Sequence, residues 1–186
     1  MDILQARRKA TAATTKIIAD VKSDQWADET PCDDWNVRDV VNHLTNENLW
    51  VPDMVAGRTI EEVGDAYDGD VLGDDPAGRY ASTATKADEA FEQPGALTRD
   101  IPVSYGPVPG EVYAGHHFMD TVIHGWDIAK ATGQDTTIDP ELVDFLIVLL
   151  TPQLELLKKS GAFKVIDVPD DAEPQTRLLA MVGRTP

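Results

Sequence analysis

Apolar residues recur at three- and four-residue intervals along most of the chain, which is the spacing of one face of an α-helix. The clearest stripe follows Asn36 and includes Val37, Val40, Val41 and Leu44. The pattern predicts helices over residues 3–22, 37–56, 76–92, 111–132, 140–160 and 173–182. Extended segments are predicted only at residues 97–105 and 163–168. We therefore expect a mainly α protein, an up-and-down helical bundle with short extra helices and a small extended segment.

Polar caps and helix-breaking residues predict where these helices begin and end. Asn36 is a predicted N-cap, and Asp39, three residues later, completes a capping box with Asp in place of Glu. Pro52 lies inside the second predicted helix, where proline removes a backbone hydrogen bond and favours a kink. Residues 57–75 are rich in Gly and Asp and predict a loop. Residues 106–110 combine Gly and Pro with Val and predict an interruption of regular secondary structure.

Composition narrows the class of protein. Hydrophobic residues make up 42% of the 186, enough for a core at this length, and we expect one domain over residues 1–186. Acidic residues outnumber basic ones by 33 to 16, and a net charge of −17 repels phosphate backbones and anionic membranes. We therefore expect no nucleic-acid or membrane partner. A single cysteine, Cys32, and the lack of an apolar signal segment at the start predict a cytoplasmic protein.

Three of the four histidines lie in one predicted helix beside an acidic residue. Asp120 and His124 are four residues apart, so they share a helix face and are separated by roughly 6 Å along its axis. His116 and His117 precede Asp120 by about one turn, so either is a candidate to extend the same face; His117 is the candidate to line the open side of the site, and His116 is expected to be peripheral. His43 lies among apolar positions of another helix and is expected to point inward. Two imidazoles and one carboxylate suit zinc, nickel or ferrous iron, and three protein ligands leave a coordination position open.

The same residue types also have ordinary structural roles. A histidine on an apolar helix face is more often a hydrogen-bonded core residue than a ligand, and acid–histidine pairs also occur as surface ion pairs. Glu47, one turn after His43, either orients that imidazole through a hydrogen bond or is a solvated helix residue. Asp127, three residues after His124, has the same two interpretations. Cys32 is interpreted as a packing residue of the loop before the helix that carries His43.

Two segments of the chain resemble signatures of a known family. Residues 30–44 read TPCDDWNVRDVVNHL, and residues 120–133 read DTVIHGWDIAKATG. Both are similar to motifs of the mycothiol-dependent maleylpyruvate isomerase N-terminal domain, which belongs to the DinB-like metalloprotein superfamily. Residues 168–180 resemble a short actinobacterial subgroup that is usually described only as metal-binding. The resemblance covers nearly the whole chain.

The resemblance implies a fold, a ligand set and a cofactor. The fold would be a DinB-like four-helix bundle. His43 and His124 match two ligand histidines, and Asp120 matches the acidic ligand, where the isomerase has Glu and many relatives have His. Zn2+ is the implied metal, with Ni2+ or Fe2+ as alternatives, and mycothiol is the implied cosubstrate. The isomerase has a further C-terminal domain that this chain is expected to lack, so isomerisation of maleylpyruvate itself is not implied.

Three functions follow as hypotheses. The first is a thiol-dependent transferase or isomerase, in which the metal activates a small thiol to attack a small electrophilic substrate. The second is a non-enzymatic metal-binding or sensor module, which predicts a closed site with His117 as a fourth ligand. The third is a metal-dependent hydrolase, which needs a general base, for which Glu47, Asp127 and His117 are the candidates. A homodimer is compatible with each of them.

Overall fold

The computed structural model describes residues 1–155, 164–169 and 171–185, and the chain folds into two compact units. The first unit spans Asp2–Asp135, and the second comprises Met1 and Thr136–Pro186. The larger unit contains helices α1 (Ile3–Ala19), α2 (Val37–Ala56), α3 (Ile60–Val63), α4 (Pro76–Phe91) and α5 (Gly110–Ala131), and strands β1 (Asp100–Val103) and β2 (Gly106–Pro109). The smaller unit contains α6 (Pro140–Leu150), a 3-10 turn (Thr151–Gln153) and α7 (Pro174–Met181).

Four long helices of the larger unit form the predicted bundle. Helices α1 and α2 each pack against both α4 and α5. The apolar stripe that starts α2 is the centre of the core, with Val37, Val40 and Val41 fully buried beside Ile18 of α1 and Ile128 of α5. The prediction of a mainly α bundle is confirmed. No helix within the described residues is both long enough and apolar enough to cross a membrane.

The predicted capping box at the start of α2 is present. The Asn36 side chain accepts a hydrogen bond from the backbone N–H of Asp39, and the Asp39 carboxylate accepts one from the backbone N–H of Asn36. These bonds satisfy two backbone donors that the first helical turn leaves without partners. The helix then continues unbroken through Pro52 to Ala56. This long helix carries one part of the candidate site.

Residues 106–110, which the sequence predicts to interrupt regular secondary structure, instead include the second strand of a hairpin. Strand β2 pairs antiparallel with β1, with Ile101 opposite Val108 and Val103 opposite Gly106. Prolines suppress a sequence-based strand prediction because they lack an N–H, but a two-stranded ribbon has two free edges on which they are tolerated. The hairpin leads directly into α5, so its position is tied to the helix that carries Asp120 and His124.

Several predicted boundaries differ from those of the structure. Helix α1 ends at Ala19 rather than at residue 22, and the predicted loop 57–75 contains the short helix α3. The helix predicted over residues 140–160 ends at Leu150, where Pro152 and its neighbours form the 3-10 turn; residues 156–160 lie outside the described part. Residue 163 also lies outside it, and residues 164–168, predicted to be extended, belong to no strand.

Candidate metal centre

His43, Asp120 and His124 converge between α2 and α5. The His43 Nε2 and Asp120 Oδ2 atoms are 3.4 Å apart, and one donor atom from each of the three residues lies within 4.8 Å of the others. The His43 and Asp120 side chains are 25% and 32% exposed, so the group is open to small molecules on one side. The structure thus brings together the three residues that the sequence proposes as ligands.

A tryptophan covers the two imidazoles. The Trp35 ring centroid lies 4.9 Å from that of His43 and 5.9 Å from that of His124. The Thr30 hydroxyl ties the loop together by donating to the Trp35 carbonyl at 2.8 Å, and Asp34 adopts a left-handed backbone conformation just before it. The sequence signal for a place of Trp35 at the site is its position just before the N-cap of α2.

Asp127 orients the His124 imidazole. The Asp127 side chain is fully buried, and its Oδ2 accepts a hydrogen bond from His124 Nδ1 at 3.0 Å. Since a carboxylate only accepts, the proton is assigned to Nδ1, which leaves Nε2 with a free lone pair. This carboxylate–histidine arrangement is typical of metal-binding imidazoles. The role of Asp127 as an orienting partner is therefore the interpretation that its geometry favours.

Cys32 lies closer to the candidate ligands than its sequence context suggests. Ligand atoms of Cys32, His124 and Asp127 also lie within 4.8 Å of one another. The same side chain packs, partly buried, against the core cluster around α2. The expected packing role and a position beside His124 are thus both present.

His117 is held in a buried polar network away from the three converging residues. Its Nδ1 lies 2.7 Å from Nη1 of Arg7, and Nη2 of Arg7 donates to Asp88 at 2.9 Å. Burial, and then the Arg7 charge, lower the pKa of His117 well below its ordinary value. Because arginine only donates, Nδ1 is the acceptor and the ring proton is on Nε2, which is buried and has no hydrogen-bond partner in the described part of the chain. His117 belongs to neither candidate ligand group among the described residues.

The electrostatics of the site couple His43 to nearby carboxylates. Burial alone would lower the pKa of His43, but its hydrogen bond to Asp120, and the charges of Asp120 and Glu47, raise it above its usual value. Burial raises the pKa of the Glu47 carboxyl; Asp120 adds to this effect, while His43 and His124 oppose it. The pKa of Glu47, one turn along α2 from His43, therefore responds to the charges of all three candidate ligands.

His116 lies at the periphery. It is half-buried, and its ring faces the hydroxyl of Tyr105, with Nδ1 3.2 Å away. Burial lowers the pKa of its imidazole. The expectation that His116 is peripheral agrees with this position, and it makes a useful control residue on the helix that carries Asp120 and His124.

The fold and the site define a class: a four-helix bundle with a histidine–carboxylate group between two helices. Residues 7–129 match the family described as "Mycothiol maleylpyruvate isomerase N-terminal domain", and the chain belongs to this family. The expected family resemblance is confirmed.

Comparison with individual proteins agrees with this assignment. Two Mycobacterium tuberculosis proteins described as uncharacterized, from strains CDC 1551 and H37Rv, are each 32% identical to this chain over 189 residues, covering 100% of it and 99% of their own length. Crystal structures of the mycothiol-dependent maleylpyruvate isomerase and of a histidine-to-alanine mutant match with a TM-score of 0.67 and 13% identity. They cover 99% of this chain and 79% of theirs, and at this identity they establish the shared fold.

Proposed function

We propose that this protein binds one divalent metal ion, most simply Zn2+, through His43, Asp120 and His124 and uses it in a thiol-dependent transferase or isomerase reaction. The observation that carries the proposal is the convergence of three donor groups from two helices under the Trp35 ring. Family membership supports the proposal, because the description of the family names mycothiol and an isomerase.

The chemistry of the donor set fits a zinc-type ion. Two imidazoles and one carboxylate are a common catalytic ligand set, whereas a structural zinc site has four protein ligands. His124 is already in the tautomer that presents Nε2, because Asp127 accepts from Nδ1. His43 and Asp120 face each other at 3.4 Å, a contact that a shared cation would replace by two ligand bonds. Nickel and ferrous iron accept the same donors.

The network around His117 favours an open site over a closed one. To act as a fourth ligand through Nε2, His117 would have to lose its ring proton from that atom. It cannot move the proton to Nδ1, because Arg7 donates to Nδ1 at 2.7 Å. With the three proposed ligands alone, the site leaves a coordination position for an exogenous molecule. This supports an enzyme over a sensor module with four protein ligands.

The reaction would use a small thiol and a small electrophile, with mycothiol as the thiol that the family description suggests. A bound divalent ion favours the thiolate form of a coordinated thiol near neutral pH. Trp35 shields one side of the imidazole pair from water, and Asp127 holds His124 in orientation. Glu47 lies one turn after His43 on α2, and its pKa responds to the charges of all three proposed ligands, so it is our candidate acceptor of the thiol proton.

Metal titration of chelator-treated protein tests the proposal. We expect wild type to bind one zinc ion per chain, and His43→Ala and His124→Ala to lose most of this binding. His116→Ala is the matched control on α5 and should bind zinc as wild type does. Calorimetric titration of zinc-loaded protein with mycothiol should then show binding that His124→Ala abolishes. Equal zinc binding by wild type and His124→Ala would refute the site, and zinc binding without thiol binding would favour the sensor or hydrolase hypothesis.

A further inference from the structure

The row of side chains that begins at His43 continues along α2 beyond the candidate metal centre. Glu47, Trp50 and Met54 follow at intervals of four, three and four residues, so all four residues share one helix face. Glu47, Trp50 and Met54 line a cleft, and His43 is a candidate ligand. The same helix face therefore serves the metal centre at one end and the cleft at the other.

Helix α5 lies opposite this row and follows it in the reverse chain direction. His124 and Asp120 face His43, whereas Tyr113, about two turns before Asp120, lines the cleft beside Glu47. Burial raises the pKa of Tyr113, and the charge of Glu47 adds to this effect. The Tyr113 hydroxyl therefore stays protonated and is available as a hydrogen-bond donor. The two helices thus run antiparallel, and Glu47 lies where the cleft meets the metal centre.

The cleft is small and mainly apolar. Its volume is about 280 Å³, just below the roughly 300–1,000 Å³ typical of small-molecule sites. Trp50, Met54 and Val103 provide apolar walls, and the hydroxyl groups of Ser104 and Tyr113 provide polar groups. This combination is typical of sites for a compact ligand with an apolar body and a small polar group.

The charges around the cleft are unfavourable for an anion. Among the described residues that line it, Glu47 is the sole charged group and no Lys, Arg or His is present. The arginines near the end of α2 have other partners: Arg58 lies 3.1 Å from the Asp53 carboxylate, and Arg99 donates to the Val55 carbonyl. An anion entering the cleft would lose hydration without gaining a cationic partner.

We infer that this cleft binds the electrophilic substrate and selects an uncharged, apolar or aromatic molecule over a carboxylate of the same shape. The inference rests on the proposed function, which places the reacting thiol at the adjacent metal centre. A divalent ion there would have its charge offset by the Asp120 carboxylate and the coordinated thiolate, so it would not supply the missing cationic partner. The inferred class differs from maleylpyruvate, the anionic carboxylate that the family description names.

The experiment compares two probes of nearly equal shape, 4-nitrobenzamide and 4-nitrobenzoate, by calorimetric titration of zinc-loaded protein. We expect the amide to bind on the order of tenfold or more tightly than the carboxylate, because the carboxylate finds no cationic partner. Ser104→Trp, on the exposed hairpin turn, should fill the cleft and remove most of the amide affinity. Tyr105→Trp is the matched control, since the neighbouring residue does not line the cleft.

The outcomes separate this inference from the proposed function. Equal or tighter binding of 4-nitrobenzoate, no binding of either probe, or unchanged amide binding by Ser104→Trp overturns the inference. Repeating the titrations after EDTA treatment removes direct coordination of the carboxylate, and the preference for the amide should persist. Zinc content measured on the same samples tests the metal centre independently: protein that takes up no zinc but still prefers the amide refutes the proposed function and leaves the cleft assignment standing.

Discussion

Replacement of Asp127 by Asn tests how the site holds His124. The carboxylate is fully buried and accepts from His124 Nδ1 at 3.0 Å. A hydrogen bond to a charged group contributes about 1.5–3 kcal/mol. Loss of the partner carboxylate of a metal-binding histidine typically weakens metal binding about 10–100-fold, or about 1.4–2.8 kcal/mol. The Asn amide can also donate to Nδ1, which moves the ring proton to Nε2 and blocks the ligand atom. We therefore expect Asp127→Asn to weaken zinc binding by one to two orders of magnitude.

Competition between the protein and a chromophoric zinc chelator measures this change at constant pH and ionic strength. Asp24→Asn is the matched control, because it makes the same substitution at an exposed position and changes the net charge equally. Thermal melting of the chelator-treated variants separates a loss of affinity from a loss of fold. Zinc affinity of Asp127→Asn within about twofold of wild type, in a protein that remains folded, would refute the orienting role of the carboxylate.

Three further predictions concern stability. Arg7→Ala should lower the free energy of unfolding in urea by about 3–5 kcal/mol, because it removes the partner of the Asp88 carboxylate and of the buried His117 imidazole. Arg8→Ala is the control: its ion pair is exposed and should cost at most about 1 kcal/mol, so similar losses for both variants would contradict the network. Gly125→Ala should destabilise by about 1–3 kcal/mol, since its Cβ would lie 2.5 Å from the buried Thr14 hydroxyl, and unchanged or increased stability would contradict this close contact. Folding raises the pKa of His43, so protonated His43 stabilises the folded, chelator-treated protein. This stabilisation is complete below the unfolded pKa of about 6.5 and disappears as the pH rises through the folded pKa. Melting curves across this range should show the loss, and His43→Gln should abolish it.

The helical bundle and two of the candidate ligands are accessible from local sequence signals. Helical periodicity and the Asn36 capping box locate α2, and the four-residue spacing of Asp120 and His124 places both on one face of α5. The hairpin escapes prediction because Pro107 and Pro109 oppose a strand, and pairing between β1 and β2 is a contact that spacing along one segment does not reveal.

By itself, the sequence placed Asp120 and His124 on one helix face, because helix geometry relates positions three and four residues apart, and the family resemblance added His43 to the candidate ligands. Only the tertiary structure decided what each of them faces. Burial against Arg7 assigned His117 to a structural network, and burial of Asp127 beside His124 made it an orienting partner. The position of Glu47 between the candidate metal centre and a cleft that no described cationic side chain lines likewise depends on the antiparallel packing of α2 against α5. These contacts join residues far apart in the chain, so no local pattern encodes them.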